Sequence, residues 1–360
     1  MAEVINIIKY LCAAAAGAVT ALSTVYFYSS VYSSKSPPLR TPLRILITGA
    51  AGQIGYALAP LIARGLMCGG KTPVILHMHD SEAAQQNLHA VAMELMDAAS
   101  ILLLGVDIFQ DLEAACRDVD VAVLLSGVKL GGSREQVMAR TVELYRSIGS
   151  ALEQHANRDA KVVIAPSPAH TTVAILQREA PSIDPKNITA LSRLAHNRTL
   201  AQVAEHLAIA VSEVKNVVVW GNATSLQVPD AQHGTVMRVA MDKVLDTEFM
   251  EELAVSVQQR SNAILQARNL TPALSAAAAI CDHMRDWLLG TPEGEWTSMG
   301  VVSDGSYDVP EGLIFSFPVT CQDGEWQIVQ GLDLDERLQL ELQRCVEELQ
   351  EEHALAEQHF

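Results

Sequence analysis

Residues 44 to 55 read Arg44-Ile45-Leu46-Ile47-Thr48-Gly49-Ala50-Ala51-Gly52-Gln53-Ile54-Gly55. The apolar, β-branched run predicts a buried strand, and Tyr56 to Arg64 predicts a helix despite Pro60. Between them lies a turn with little side chain, so the free N–H groups and dipole of the helix start face whatever sits there. The spacing G-x-x-G-x-x-G, on Gly49, Gly52 and Gly55, is one residue longer at the front than the usual dinucleotide fingerprint. Gln53 and Ile54 would add first-turn amides for a pyrophosphate. A second strand-like run, Val74 to His79, ends in Asp80. A carboxylate at that strand tip suits a ribose diol and repels a 2′-phosphate, so NAD is expected rather than NADP.

Working outward, Val106 to Phe109, Val119 to Leu125 and Lys161 to Ala165 read as further strands, separated by helical stretches such as Arg134 to His155. Apolar strands alternating with helices imply an α/β chain with a doubly wound parallel sheet of the Rossmann type. In Glu82 to Ala99, Leu88, Val91, Ala92, Leu95 and Met96 fall on one face, core-facing or dimer-facing. Further on, the second half opens with Asn187 to Leu194, a helix is expected from about Asn197 to Ile209, and Val217 to Trp220 reads as a strand. Glu248 to Cys281 reads as a helical region broken at Pro272, and Glu311 to Val319 with Glu325 to Gln330 as a hairpin. A closing helix, Arg337 to Ala356, packs through Leu338, Leu342, Cys345 and Leu349, with Glu347, Glu348, Glu351 and Glu352 as a solvated face.

The net charge of −17 argues against nucleic acid, and 49% apolar residues suit a large core. The six cysteines are scattered without a C-x-x-C pair, which predicts reduced thiols and no metal site. Residues 10–32 form an uncharged run of about 23 residues, long enough for a transmembrane helix. Lys35, Arg40 and Arg44 follow it, so a membrane anchor with the folded domain on the cytosolic side is expected; organelle targeting or a cytoplasmic protein are the alternatives. Ser33 to Pro42 is a Pro-rich linker. The expected organisation is an anchor or targeting segment with linker over 1–42, a dinucleotide-binding domain over 43–190 and a substrate domain over 191–360.

Several long stretches carry a resemblance: Ile47 to Arg64 (ITGAAGQIGYALAPLIAR), Lys215 to Asn222 (KNVVVWGN), Cys281 to Trp287 (CDHMRDW), Gly290 to Gly294 (GTPEG), Ser298 to Tyr307 (SMGVVSDGSY) and Ile314 to Cys321 (IFSFPVTC). With them the chain resembles the cytosolic-type NAD-dependent malate dehydrogenase family, in its plant-like form. The resemblance implies the lactate/malate dehydrogenase fold, with an α+β C-terminal substrate domain. It also implies hydride transfer at the malate C2, a histidine as acid/base, an aspartate orienting that histidine, and arginines clamping the two carboxylates.

Role by role, the family's aspartate falls on Ala195 in Leu194-Ala195-His196-Asn197-Arg198, and its histidine on Ala223, directly after Asn222. Both halves of the acid/base dyad are therefore expected to be missing, and no catalytic residue is intact. His196 has its own counterpart in the family and does not fill the gap. Arg198 matches the arginine for the first carboxylate and Arg134 the second arginine of the mobile loop. Lys129 lies where the loop's first arginine is expected, in a shortened loop, and Ser167 stands for an asparagine. The expectation is an NAD-binding protein with impaired catalysis, a scaffold, a regulatory partner or a sensor of a dicarboxylate or other small acid. It would form a homodimer or a heterodimer with an active relative. The alternative is a working dehydrogenase of malate or another 2-hydroxy acid, with His170 standing in as acid/base.

Overall fold

The computed structural model describes residues 41–128, 131–222 and 227–360. The first half runs β1 (Leu43–Thr48), α1 (Gln53–Ala63), β2 (Val74–His79), α2 (Gln85–Asp97), β3 (Leu103–Phe109) and α3 (Leu112–Cys116). It continues with β4 (Val121–Leu124), α4 (Arg134–His155), β5 (Lys161–Ile164), α5 (Ala169–Glu179) and β6 (Ile188–Ala190). The second half opens with α6 (Arg193–His206), β7 (Val214–Lys215), β8 (Val218–Gly221), β9 (Gln227–Asp230), β10 (Thr235–Val236) and β11 (Val239–Ala240). Then come α7 (Thr247–Arg268), α8 (Ala273–Leu289), β12 (Thr297–Val302), β13 (Ile314–Gln322), β14 (Glu325–Ile328) and α9 (Glu336–Glu357).

Strands β3-β2-β1-β4-β5-β6 are neighbours in that order and all parallel. The sheet continues through β12, β13, β8 and β9 in antiparallel pairings. Strand order reverses between β1 and β4, so the crevice beyond their C-terminal ends, at Thr48 and Leu124, is where such a sheet takes a ligand. Side chains alternate across β1: Ile45 and Ile47 enter a core with Leu58 and Ile62 of α1 and Trp287 of α8, while Leu46 faces Val142 and Tyr145 of α4. Burial on both faces explains the unbroken apolar run, each such side chain stabilising the fold by about 1.5–3 kcal/mol.

Helix starts follow local chemistry. Ser133 caps α4 by accepting from Gln136 N–H, while the Gln136 side chain accepts from Ser133 N–H. The helical region over 248–281 divides where Asn269 takes a left-handed φ of +55°, and α8 restarts after Pro272. Strand β12 carries Gly300, a residue that weakens a strand pattern. That glycine is needed for close approach: a Cβ there would lie 2.6 Å from Ala190 Cβ and 2.7 Å from His170 Nε2.

Some expectations are corrected. On α2, Leu88, Val91, Ala92 and Leu95 are buried, but Met96 is 63% exposed. On α9, Glu352 is not solvated but buried, with its carboxyl group accepting from Thr171 Oγ1. The expected transmembrane helix at residues 10–32 lies outside the described residues. Among the described residues no helix is long and apolar enough to cross a membrane, and each of α4, α7 and α9 carries charged side chains along its exposed face. The expectations of a transmembrane helix and of a membrane partner are thereby corrected.

Candidate functional site

The turn after β1 is walled by backbone. Gly49 has φ +67°, and a Cβ on it would stand 3.2 Å from the backbone of Leu125 and Ser126 at the end of β4. A Cβ on Gly55 would stand 2.4 Å from the Ala50 carbonyl oxygen, so α1 could not lie this close to β1 with any larger residue. Gly52 is the N-cap of α1 and offers no side-chain acceptor. The first-turn amides of Gln53, Ile54 and Gly55 are left for an external anion. Asp80 closes the other side: its carboxylate accepts from Ala51 N–H at 3.0 Å and from Ser81 N–H at 2.8 Å. It is thereby oriented at the tip of β2 beside the glycine turn. Thr48 Oγ1 accepts from Leu125 N–H at 3.2 Å and Ser126 N–H at 3.3 Å, which joins the ends of β1 and β4. The cradle fits the pyrophosphate and ribose of NAD.

The second constellation gathers around α6. Arg198 is part-buried, and its Nη2 donates to Ser261 Oγ of α7 at 2.8 Å. Its buried Nε has no acceptor among the described residues. Burial, and then the neighbouring charge of Arg260, pull its pKa down to about 10. A buried guanidinium with an open donor and a like charge beside it is stabilised by an incoming anion. Nothing local in the sequence marks Arg260 of α7 as facing α6.

One turn before Arg198, Ala195 is buried in an apolar cluster with Val203, Val217 and Val219. Ala223 and Lys129 lie outside the described residues. Asn222, at the end of β8, is buried, and its Nδ2 donates to Glu348 of α9 at 3.0 Å. Ser167 is exposed at the end of β5, before the cis peptide to Pro168. Arg134, the first residue of α4, pairs with Glu352 at 3.7 Å rather than with any partner of Arg198.

Neither His196 nor His170 is a solvent-facing base. His196 shares a hydrogen bond of 3.0 Å with Ser298 Oγ, which also accepts from Val219 N–H, and burial holds its pKa well below 6.5. Burial pushes His170 down to about 3. It lines a cavity of about 330 Å³ with Glu311, Gln350 and His353, between α5 and α9. The resemblance motifs serve mainly as struts here: Arg193 pairs with Asp286, and Asn197 Nδ2 donates to Asp282 at 2.8 Å. The described cysteines are all buried thiols, and no described cluster of His, Cys, Asp or Glu is arranged to hold a metal ion.

Comparison with known proteins agrees with this geometry. Residues 43–189 match the family described as lactate/malate dehydrogenase, NAD binding domain, and residues 192–359 match lactate/malate dehydrogenase, alpha/beta C-terminal domain. Malate dehydrogenase of Nicotiana tabacum is 53% identical over 325 residues, covering 88% of this chain and 98% of that protein. The cytoplasmic malate dehydrogenase of Medicago sativa is 52% identical, with the same coverage of 88% and 98%. Among solved structures, malate dehydrogenase from Naegleria fowleri superposes with a TM-score of 0.86 at 36% identity, covering 89% of this chain and 100% of that one. A Trichomonas vaginalis lactate dehydrogenase in complex with NADH and oxamate gives 0.83 at 33%, covering 88% and 98%.

Proposed function

The chain belongs to the lactate/malate dehydrogenase family, with NAD as its cofactor, and we propose that it binds a small dicarboxylic acid beside that cofactor but transfers protons poorly. The observation that carries this reading lies on one helix. Arg198 of α6 is kept as a part-buried guanidinium open to an anion, whereas Ala195, one turn earlier, offers only a methyl group in an apolar cluster. NAD, when bound, supplies a hydride acceptor or donor at its nicotinamide ring. The residues Gly49, Gly52, Gln53, Ile54, Gly55 and Asp80 would hold it, and Arg198 would grip a ligand carboxylate through its fork. Arg134, Lys129 and Ser167 are the further candidates for ligand contact. The dyad positions are Ala195 and Ala223, so no side chain there exchanges a proton with a C2 oxygen. Loss of a positioned acid/base costs a factor of about 10²–10⁴, or roughly 3–5 kcal/mol of barrier.

A second reading is a working malate dehydrogenase, or a dehydrogenase of another 2-hydroxy acid. The likeness to malate dehydrogenases over 98% of their length favours it, and taken alone supports it better than the first reading. What stands against it is the pair of alanines, together with the burial of His170. The named cytoplasmic relatives support a cytoplasmic setting. The exposed Met93, Met96, Ile101 and Leu104, on and after α2, support pairing with a second copy or with an active relative. We divide the chain into a dinucleotide-binding domain over 43–190 and a substrate domain over 191–360.

Reversion tests the proposal. Ala195→Asp alone would bury an unpaired carboxylate, so it is made together with Ala223→His. The double variant is expected to reduce oxaloacetate at least tenfold faster than the unchanged chain, yet below the usual range of about 1–10³ per second, because the loop is also altered. An unchanged chain already within that range would establish the second reading.

A further inference from the structure

Helix α7 packs on α6 through an apolar end and a polar end. At the apolar end Leu253 and Val257 join Ala195 and Val203 in one cluster. At the polar end Ser261 Oγ accepts from Arg198 Nη2 at 2.8 Å. Burial first, and then the charge of Arg260, lower the pKa of Arg198, so a like charge adjoins the guanidinium. One turn before Ser261, the Gln258 side chain donates to the Gln227 carbonyl at 2.7 Å, at the start of β9. The same helix thus fixes the arginine and the strand that leaves the corner. Helix α6 carries a second arginine for comparison. Arg193, five positions before Arg198, is buried and paired with the carboxylate of Asp286. One arginine is held by a countercharge and the other by a hydroxyl, which accepts a hydrogen bond without cancelling charge.

We propose that Ser261 is a positioning residue for ligand binding: its hydroxyl aims the Arg198 fork and leaves the positive charge for a ligand carboxylate. This deepens the reading above and rests on Arg198 being a ligand arginine. A long arginine stem loses rotamer freedom when a ligand fixes it, and an arginine already anchored has less to lose. The donors are divided accordingly. Nε–H is buried, and one hydrogen of Nη2 goes to Ser261; the other Nη2 hydrogen and those of Nη1 remain for a carboxylate. An aspartate in place of Ser261 would hold the guanidinium more firmly but neutralise it, as Asp286 does for Arg193. Arg193 is a strut and Arg198 a ligand group, and what separates them is the charge of the acceptor.

The test uses the full chain loaded with NADH and titrated calorimetrically with malonate, a dicarboxylate that cannot be reduced. Ser261→Ala is expected to weaken malonate about tenfold, and Ser261→Thr, which keeps the hydroxyl, to stay within about twofold of the unchanged chain. Ser261→Asp keeps the hydrogen bond but adds a countercharge, and should weaken malonate about 100-fold. In an Arg198→Met background Ser261→Ala should have no further effect. Unchanged NADH affinity identifies the properly folded variants. A hydroxyl that only joined α7 to α6 would leave malonate affinity alone. Equal malonate affinity in Ser261→Ala and the unchanged chain, with Arg198→Met still weakening it, overturns the proposal but leaves Arg198 as a ligand residue. Undiminished binding by Ser261→Asp overturns it equally. No malonate binding by the unchanged chain, or no effect of Arg198→Met, removes the reading of Arg198 itself, and the proposal with it.

Discussion

The turn between β1 and α1 and the corner between α6 and β8 are built from the same fold, yet they have fared differently. In the turn every constraint is steric and mutual: Gly55 cannot gain a Cβ without meeting Ala50, and Asp80 is held by two backbone amides. In the corner the scaffold persists while, on the proposed reading, the reactive side chains are absent. Trp220 Nε1 still donates to Asp230, and Asn197 still reaches Asp282, but Ala195 brings no carboxylate. The difference separates what a fold needs from what a reaction needs. Strut residues stabilise the structure whether or not turnover occurs; an acid/base group contributes to the chemistry, and the alanine at position 195 sits in an intact apolar cluster.

The comparison is broken most severely from the nucleotide side. Gly55→Val would drive a branched side chain into the Ala50 backbone, displacing α1 from β1; NADH binding, followed by fluorescence, is expected to weaken more than about 100-fold. Comparable binding would show that the turn is not what holds the dinucleotide. A smaller effect is expected in the corner. Arg198→Met should lower malonate affinity in the NADH complex by roughly 10–100-fold while leaving NADH affinity within about twofold. An equal loss of both would mean that Arg198 supports the fold rather than the ligand.

The least effect concerns the scaffold of the corner. His233 lies between Asp230, at 2.7 Å from Nδ1, and the carbonyl of Asp333, at 2.7 Å from Nε2. Burial opposes its charge, but Asp230 and the Asp333 carbonyl prevail and hold its pKa above the ordinary 6.5. A folded-state pKa raised in this way stabilises the fold fully below about 6.5, and that stabilisation is lost as the pH rises through the raised value. The gap in Tm between the unchanged chain and His233→Asn should therefore narrow from pH 6 towards pH 9. A gap that widens over this range would contradict an imidazolium strut.

What could be read in advance follows from range. The glycine turn, Asp80 and the limits of α4 depend on residues close in sequence: a strand, a turn and a capping box announce themselves locally. The burial of Glu352 could not be read, because Thr171 is 181 positions away and the local pattern of glutamates is that of a solvated face. Arg260 beside Arg198 is hidden for the same reason, since only the packing of α7 on α6 brings the two charges together. Met96 illustrates a different limit. It keeps helical spacing with Leu88, Val91, Ala92 and Leu95 but stands at the edge of the face, where a few tens of degrees decide between core and surface.

The most direct measurement is a single turnover. Full-length protein carrying bound NADH is mixed with saturating oxaloacetate in a stopped-flow instrument, and loss of reduced nicotinamide absorbance is followed. The account predicts a bound, fluorescent complex whose nicotinamide is consumed at least about 10²-fold more slowly than the usual enzymatic range of about 1–10³ per second. Consumption within that range would contradict it and show that a proton donor reaches the oxygen despite the two alanines.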